Sequence, residues 1–199
     1  MKLFWNNIAS IGVDENVELS EVRYINLVNI LAIFIALFEF VNMAILIPFL
    51  QQTKFLIFFG NIIGIINLGV VLLNYFKFFL TARIFFSLLG VIIISVNSLF
   101  LGRGTLTHIF LLESIVIVFF IFPPREKAVR NAMVCLFVAS FIGLEIWFSH
   151  HTAIIENTPK LFTYIWIPGL LTFMVAISFY MYAIIHRAET RLKKEREKS

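Results

Sequence analysis

Residues 82–101 read ARIFFSLLGVIIISVNSLFL, a stretch in which Arg83 is the single charged side chain. A helix of this length rises about 30 Å, which is the thickness of the hydrocarbon core of a bilayer. In lipid the backbone must satisfy its own hydrogen bonds, so only helices and closed barrels span membranes. The stretch is about twice as long as a barrel strand and does not alternate. It therefore predicts a membrane-spanning α-helix.

Five further apolar blocks accompany it, at residues 24–50, 55–76, 105–122, 129–149 and 162–186. Hydrophobic residues make up 60% of the 199-residue chain and include 24 phenylalanines, more than one soluble domain could bury. We therefore predict an all-α, polytopic membrane protein built as a six-transmembrane-helix bundle. The predicted parts are a cytoplasmic or interfacial segment (1–23), the transmembrane domain (24–186) and a cytoplasmic helical extension (187–199).

Basic residues predict the orientation. Loops on one side of the predicted bundle carry most of the lysine and arginine, as does the tail after residue 186, whereas the other side carries few. Under the positive-inside rule this pattern predicts cytoplasmic N- and C-termini. The first residues lack the apolar core of a signal peptide. The net charge of +4 lies mostly in the tail, which argues against a nucleic-acid-binding surface.

Polar residues within the apolar blocks are costly, by about 2.5 to 3.5 kcal/mol for a charge at the centre of an inserted helix. In the predicted topology many of them fall in the outer half, where one shared and partly hydrated site would offset the cost. Asn29, Asn67 and Asn74 are instead predicted to form hydrogen bonds between helices. The candidate ligand- or metal-binding residues are Glu39, Asn42, Asn97, His108, Glu113, Glu145, His150 and His151.

Carboxylates, imidazoles and amides together favour a divalent cation as the ligand of this site, and a small organic cation would serve similarly. Haem b is the alternative, with His108 and either His150 or His151 as axial ligands. The sequence contains no zinc-protease motif, no nucleophile elbow and no phosphate-binding glycine loop, so we predict no catalytic residues and no enzymatic activity in this chain.

Several stretches together resemble the six-helix membrane domain that precedes bacterial class III adenylate cyclases. They are ELSEVRYINLVN (18–29), GRGTLTHIFLL (102–112), FFIFPPRE (119–126), LEIWF (144–148) and HRAETRLKKEREKS (186–199). The resemblance implies a homodimeric sensor and anchor in the bacterial cytoplasmic membrane. It also implies that the last helix continues, beyond Ser199, into a cytoplasmic output domain that makes cAMP.

The exit segment is expected to transmit the signal, through His186, Arg187, Ala188 and Leu192. Two other functions fit the same pattern of apolar blocks. The chain could be the sensor of a histidine kinase, because similar membrane domains precede such kinases, or a small transporter. A transporter prefers broken helices near the midplane, whereas the polar residues here lie toward one side. Of the three functions, the pattern favours a cyclase-linked receptor for an unknown outer-side ligand.

Overall fold

The computed structural model describes residues 8–15, 17–46 and 50–151, together with Val175. The chain divides into two units, 1–156 and 157–199, and the helices named below belong to the first. They are α1 (Leu19–Leu46), α2 (Leu50–Tyr75), α3 (Phe79–Leu101), α4 (Phe110–Ile121) and α5 (Lys127–His150), with 3₁₀ turns at Arg103–Thr105, Thr107–Ile109 and Pro124–Glu126. No described residue lies in a strand. The prediction of an all-α protein is therefore confirmed.

Four helical segments are long and apolar enough to cross a membrane: Ser20–Val41, Lys54–Tyr75, Phe79–Leu101 and Pro124–His150. The chain is a membrane protein on this evidence. The total of six membrane spans and the cytoplasmic location of both termini remain predictions. The sixth predicted block and the exit segment lie outside the described residues, and with them His186, Arg187, Ala188 and Leu192.

The fourth predicted block differs most from expectation. Instead of one helix over 105–122, the chain makes two 3₁₀ turns before α4, which has only 12 residues. Leu106 lies between the turns in the left-handed region, at φ 58°, and one such residue ends a helical path. The apolar helix from Thr107 to Ile121 is therefore shorter than a full span.

The first predicted loop is also different. The residues QQTK (51–54) were expected to separate two helices, yet they lie in the first turns of α2, which begins at Leu50. Glutamine and lysine are good helix formers, and the stretch contains neither glycine nor proline. The stretch was predicted as a loop because it is polar, but none of its residues prevents helix formation.

The helices pack in sequence order, α1 on α2, α2 on α3 and α4 on α5, while α3 also contacts α5. Ion pairs show which ends meet. Lys77, after α2, pairs with Asp14, before α1, and Arg83 at the start of α3 pairs with both Glu21 of α1 and Glu126 before α5. We call this end of the bundle the basic end. The 102–109 connection and the end of α5 form the opposite end.

The connection from α2 to α3 is short because α2 ends in a Schellman motif. The amide of Phe78 donates to Leu73 O and that of Lys77 to Asn74 O. Lys77 takes the left-handed position usually given to glycine, at φ 65°. Its side chain pairs with Asp14, so the turn also contacts the segment before α1.

Residues 8–15 are tied to the basic end by buried amides. Asn29 Nδ2 donates to Ala9 O at 3.0 Å and to Ile11 O at 2.9 Å. Asn74 Nδ2 donates to Asn29 Oδ1 at 2.8 Å. The predicted hydrogen bonding between helices is therefore confirmed for Asn29 and Asn74. Asn67 behaves differently, since its amide donates to Ile63 O of its own helix at 3.2 Å.

Gly12 is required where this segment crosses α2. Its φ is +86°, and a Cβ built on it would lie 2.1 Å from Asn74 O. We expect Gly12→Ala to lower the free energy of unfolding by about 1 to 3 kcal/mol, because it combines backbone strain with a clash against backbone. Thermal unfolding of the purified chain would measure this. Gly104→Ala is the matched control, since an added Cβ there meets nothing within 4 Å, and an equal loss in both variants would contradict the account.

Candidate functional site

The opposite end carries a polar cluster that depends on the two 3₁₀ turns. Gly102, at φ 80°, ends α3, and its carbonyl accepts a hydrogen bond from Thr105 Oγ1 at 2.9 Å. Thr105 Oγ1 also lies 2.8 Å from Thr107 Oγ1. These bonds and the left-handed Leu106 compact the connection. They place Arg103 and His108 beside the last turns of α5.

Glu145 of α5 is the shared partner of these two basic residues. Its Oε1 lies 2.9 Å from His108 Nε2 and its Oε2 lies 3.0 Å from a terminal nitrogen of Arg103. The three side chains differ in exposure: 3% for His108, 29% for Glu145 and 64% for Arg103. We call them the Arg103–His108–Glu145 cluster. Within this cluster the His108 imidazole is buried and the Arg103 guanidinium is exposed to solvent.

His108 is held between aromatic rings as well as by Glu145. The Phe141 ring stacks on it at 5.8 Å and the Phe148 ring meets it edge-on at 5.4 Å. When Nε2–H donates to the Glu145 carboxylate, the neutral ring keeps an acceptor at Nδ1. That Nδ1 atom is buried and has no hydrogen-bond partner among the described residues. The imidazole therefore has one engaged nitrogen and one free nitrogen.

Among the predicted site residues whose side chains the structure describes, a direct ion pair joins only His108 and Glu145. Glu39 of α1 and Asn97 of α3 are buried, and Glu113 Oε2 is buried without a partner among the described residues. The side chain of Asn42 lies outside the described part of the chain. The predicted block 105–122 would carry His108 and Glu113 on one helix, but His108 lies in a 3₁₀ turn before α4, so that part of the prediction was wrong.

The residues present do not fit a preformed metal site. Within the described ranges, no three His, Cys, Asp or Glu side chains form a group that could hold a metal ion. The Glu145 carboxylate already faces two basic side chains, one on each oxygen. Mg²⁺ and Ca²⁺ need several oxygen ligands, and within the cluster only the Glu145 side chain supplies any. The predicted preference for a divalent cation is not supported by this geometry.

The haem alternative finds no support in the geometry either. His150 and His151 are both exposed, and the His151 ring stacks on Trp147 at 3.8 Å. His108 is buried and its Nε2 is taken by Glu145. Axial ligation needs imidazoles that face one another across the haem iron. No such pair is assembled by the histidines that the structure describes.

A second polar cluster lies at the basic end, and sequence reasoning missed it. Arg83 is buried in the first turns of α3. Its Nη2 lies 2.6 Å from Glu21 Oε1 and 2.8 Å from Glu126 Oε1. Arg125 pairs with Glu21 as well, and with Glu18 at 3.3 Å. We call these five residues the Arg83 network.

A signal for this network exists in the sequence. Glu21 lies three residues before the apolar block at 24–50, and Arg83 is the only charge in the block at 82–101. A buried charge needs a partner of opposite sign. We used basic residues only to predict the orientation and did not search for the partners of these two charges. The pairing also ties together three segments that are far apart in the chain, α1, α3 and the 122–126 turn.

Comparisons of the chain with protein-family models, with curated proteins and with solved structures gave no match.

Proposed function

We propose that the chain is a membrane sensor and anchor domain whose receiving site is the Arg103–His108–Glu145 cluster. It would act in the bacterial cytoplasmic membrane as a homodimer and regulate a cytoplasmic adenylate cyclase through its last helix. One observation carries the sensor part: a partly exposed carboxylate is shared by a buried imidazole and an exposed guanidinium. The output part rests on the resemblance of the quoted motifs.

The geometry favours a small organic cation as the ligand. Arg103 is 64% exposed, and ion pairs of such side chains contribute only about 0.2 to 1 kcal/mol. A ligand ammonium or amidinium group could therefore replace Arg103 on Glu145 at little cost. His108 would keep the other carboxylate oxygen and hold Glu145 in position. Binding would release Arg103 from α5, while His108 would keep the rest of the 102–109 connection in contact with it.

Thermal shift measurements on the purified chain test this site. Agmatine, putrescine and choline are suitable probes, with magnesium and calcium chloride for comparison. At about 100 times Kd a ligand should add about 2.7 kcal/mol of stability, or about 5 to 10 °C in Tm. Glu145→Gln should abolish the shift. Arg103→Gln should tighten binding by up to about fivefold, because it removes the competing cation.

Glu145→Gln and Arg103→Gln are expected to change the ligand affinity in opposite directions, and this pattern distinguishes the proposed mechanism from others. A wild-type chain that ignores all three organic cations would contradict the proposed ligand class. Tighter binding of magnesium or calcium than of the organic cations would return the site to the divalent-cation hypothesis. Weaker binding in Arg103→Gln would mean that Arg103 holds the ligand, which would then be an anion.

The proposed orientation has its own test. In a Cys135→Ala background, a cysteine at Lys77 should be protected from an impermeant thiol reagent in intact cells, whereas one at Arg103 should react. Both side chains are exposed and lie at opposite ends of the bundle. The positive-inside rule puts the end with more basic residues in the cytoplasm. The reverse labelling would place the cluster on the cytoplasmic side.

The output domain is tested by reading the coding sequence beyond Ser199. A class III cyclase domain would support the proposal, and a kinase domain would assign the same sensor to phosphorylation. A direct stop codon would remove the covalent output. Binding at the Arg103–His108–Glu145 cluster would then need another route to the cytoplasm.

A further inference from the structure

The Arg83 network uses only part of the bonding capacity of its central residue. One nitrogen, Nη2, faces both Glu21 and Glu126. Nε and Nη1 of Arg83 are buried and have no hydrogen-bond partner among the described residues, and the same holds for Glu126 Oε2. Glu21 Oε1 lies 2.6 Å from Nη2 and forms an ion pair with it. It accepts no hydrogen bond from any described residue. Two carboxylates therefore lie against one nitrogen of Arg83, which donates to Glu126, while its two other nitrogens have no partner among the described residues.

This arrangement permits a second one. A guanidinium can hold a single carboxylate through two parallel hydrogen bonds. If Glu126 left, Arg83 would still have Glu21 as its partner, and its unused nitrogens could add a second bond to that carboxylate. The buried positive charge would remain compensated. Removing a buried partner usually leaves an unpaired charge at high cost, and here that cost is avoided.

Glu126 is also the member best placed to leave. Its side chain is 13% exposed, against 6% for Glu21 and 3% for Arg83. It is the last residue of the 3₁₀ turn Pro124–Glu126, which follows the extended Pro123. The neighbouring Arg125 is 55% exposed and Glu18 is 72% exposed, so the bond between them can be exchanged for water at little cost. Glu21 would keep Arg83 when its own bond to Arg125 breaks. Phe122, by contrast, is buried and holds the beginning of the turn.

We propose that the 122–126 turn is a switchable contact, in which Glu126 binds and leaves Arg83 while Arg83 stays paired with Glu21. Residues after Pro123 would move with the start of α5, and α1 and α3 would remain joined. This device lies at the other end of the bundle from the proposed ligand site and needs no ligand. Its failure would therefore leave the proposed function untouched, and the reverse also holds.

Distances between two spin labels test the switch on the full chain in lipid nanodiscs. Labels replace Ser20 of α1 and Lys127 of α5, both exposed, in a Cys135→Ala background. We expect two populations in the otherwise unchanged chain, a shorter and a longer distance. Glu126→Gln should raise the ratio of longer to shorter by about tenfold or more, because a hydrogen bond between charged groups is weakened. Arg83→Lys, which keeps the charge but loses the planar fork, should act in the same direction.

Lys77→Ala, which removes an exposed ion pair at the same end of the bundle but outside the Arg83 network, serves as the control and should leave the ratio unchanged. A single distance in the otherwise unchanged chain would overturn the proposal, because the turn would then have one position. Two distances whose ratio ignores Glu126→Gln would also overturn it, since the motion would not depend on Arg83. If Arg83→Lys fails to fold, Glu126→Gln still decides, because its partner Arg83 keeps Glu21 in that variant.

Discussion

Replacing Arg83 with methionine should lower the free energy of unfolding by about 3 to 5 kcal/mol. The substitution keeps much of the side-chain volume but leaves Glu21 and Glu126 facing each other at the basic end. Glu21 would keep Arg125, which is 55% exposed and compensates the charge less well. Reversible unfolding in mixed detergent micelles, followed by circular dichroism, would measure the loss.

Two comparisons show whether the loss comes from uncompensated charge. The triple variant Glu21→Gln, Arg83→Met, Glu126→Gln should recover much of the stability, because neutral partners need no counter-charge. Lys77→Ala removes an ion pair that is exposed on both sides, and should cost less than about 1 kcal/mol. A triple variant as unstable as Arg83→Met alone would show that packing of the arginine, rather than its charge, stabilises this end.

Asn29→Leu should be the second most damaging single change, with a loss of about 2 to 4 kcal/mol. The side chain is fully buried, and it accepts one hydrogen bond and donates two. Leucine would leave the Ala9 and Ile11 carbonyls and the Asn74 amide without this partner. Each buried polar group left unsatisfied costs about 1 to 3 kcal/mol. The expected loss is smaller than the sum for three such groups, because water can reach part of the 8–15 segment.

Asn67→Leu is the matched control. Asn67 is as deeply buried as Asn29, but it donates only to its own helix, at Ile63 O, and its Oδ1 has no partner among the described residues. Leucine there should change stability by less than about 1 kcal/mol or raise it, since an unsatisfied acceptor disappears. Similar losses at both positions would mean that the cost is general to buried asparagines in this bundle. Increased proteolysis before α1 in Asn29→Leu alone would confirm that this residue holds the 8–15 segment.

Much of the fold could be predicted from the chain itself. Long apolar blocks exclude strands and barrels, because only a helix satisfies every backbone hydrogen bond within one segment of that length. The predicted blocks at 24–50, 55–76, 82–101 and 129–149 each overlap a described helix closely. Asn29 and Asn74 were assigned to hydrogen bonding between helices for the same reason: a buried amide needs a partner.

Pairings between remote residues could not be read in the same way. The prediction grouped Glu39, Glu113 and Glu145 by depth, yet depth leaves the rotation of each helix open, and one residue along a helix turns a side chain by about 100°. The left-handed Leu106 changes that rotation for everything after it. His108 rather than Glu113 therefore meets Glu145, and Arg103 joins them.

Composition and hydropathy thus determined that the chain forms apolar helices with polar groups near their ends. Only the tertiary structure decided which charges compensate each other. The residues around Arg83 do not indicate its partners, since Glu21 and Glu126 are 62 and 43 positions away in the sequence. Burial makes compensation of its charge necessary, but the packing of α1, α3 and the 122–126 turn determines which carboxylates provide it.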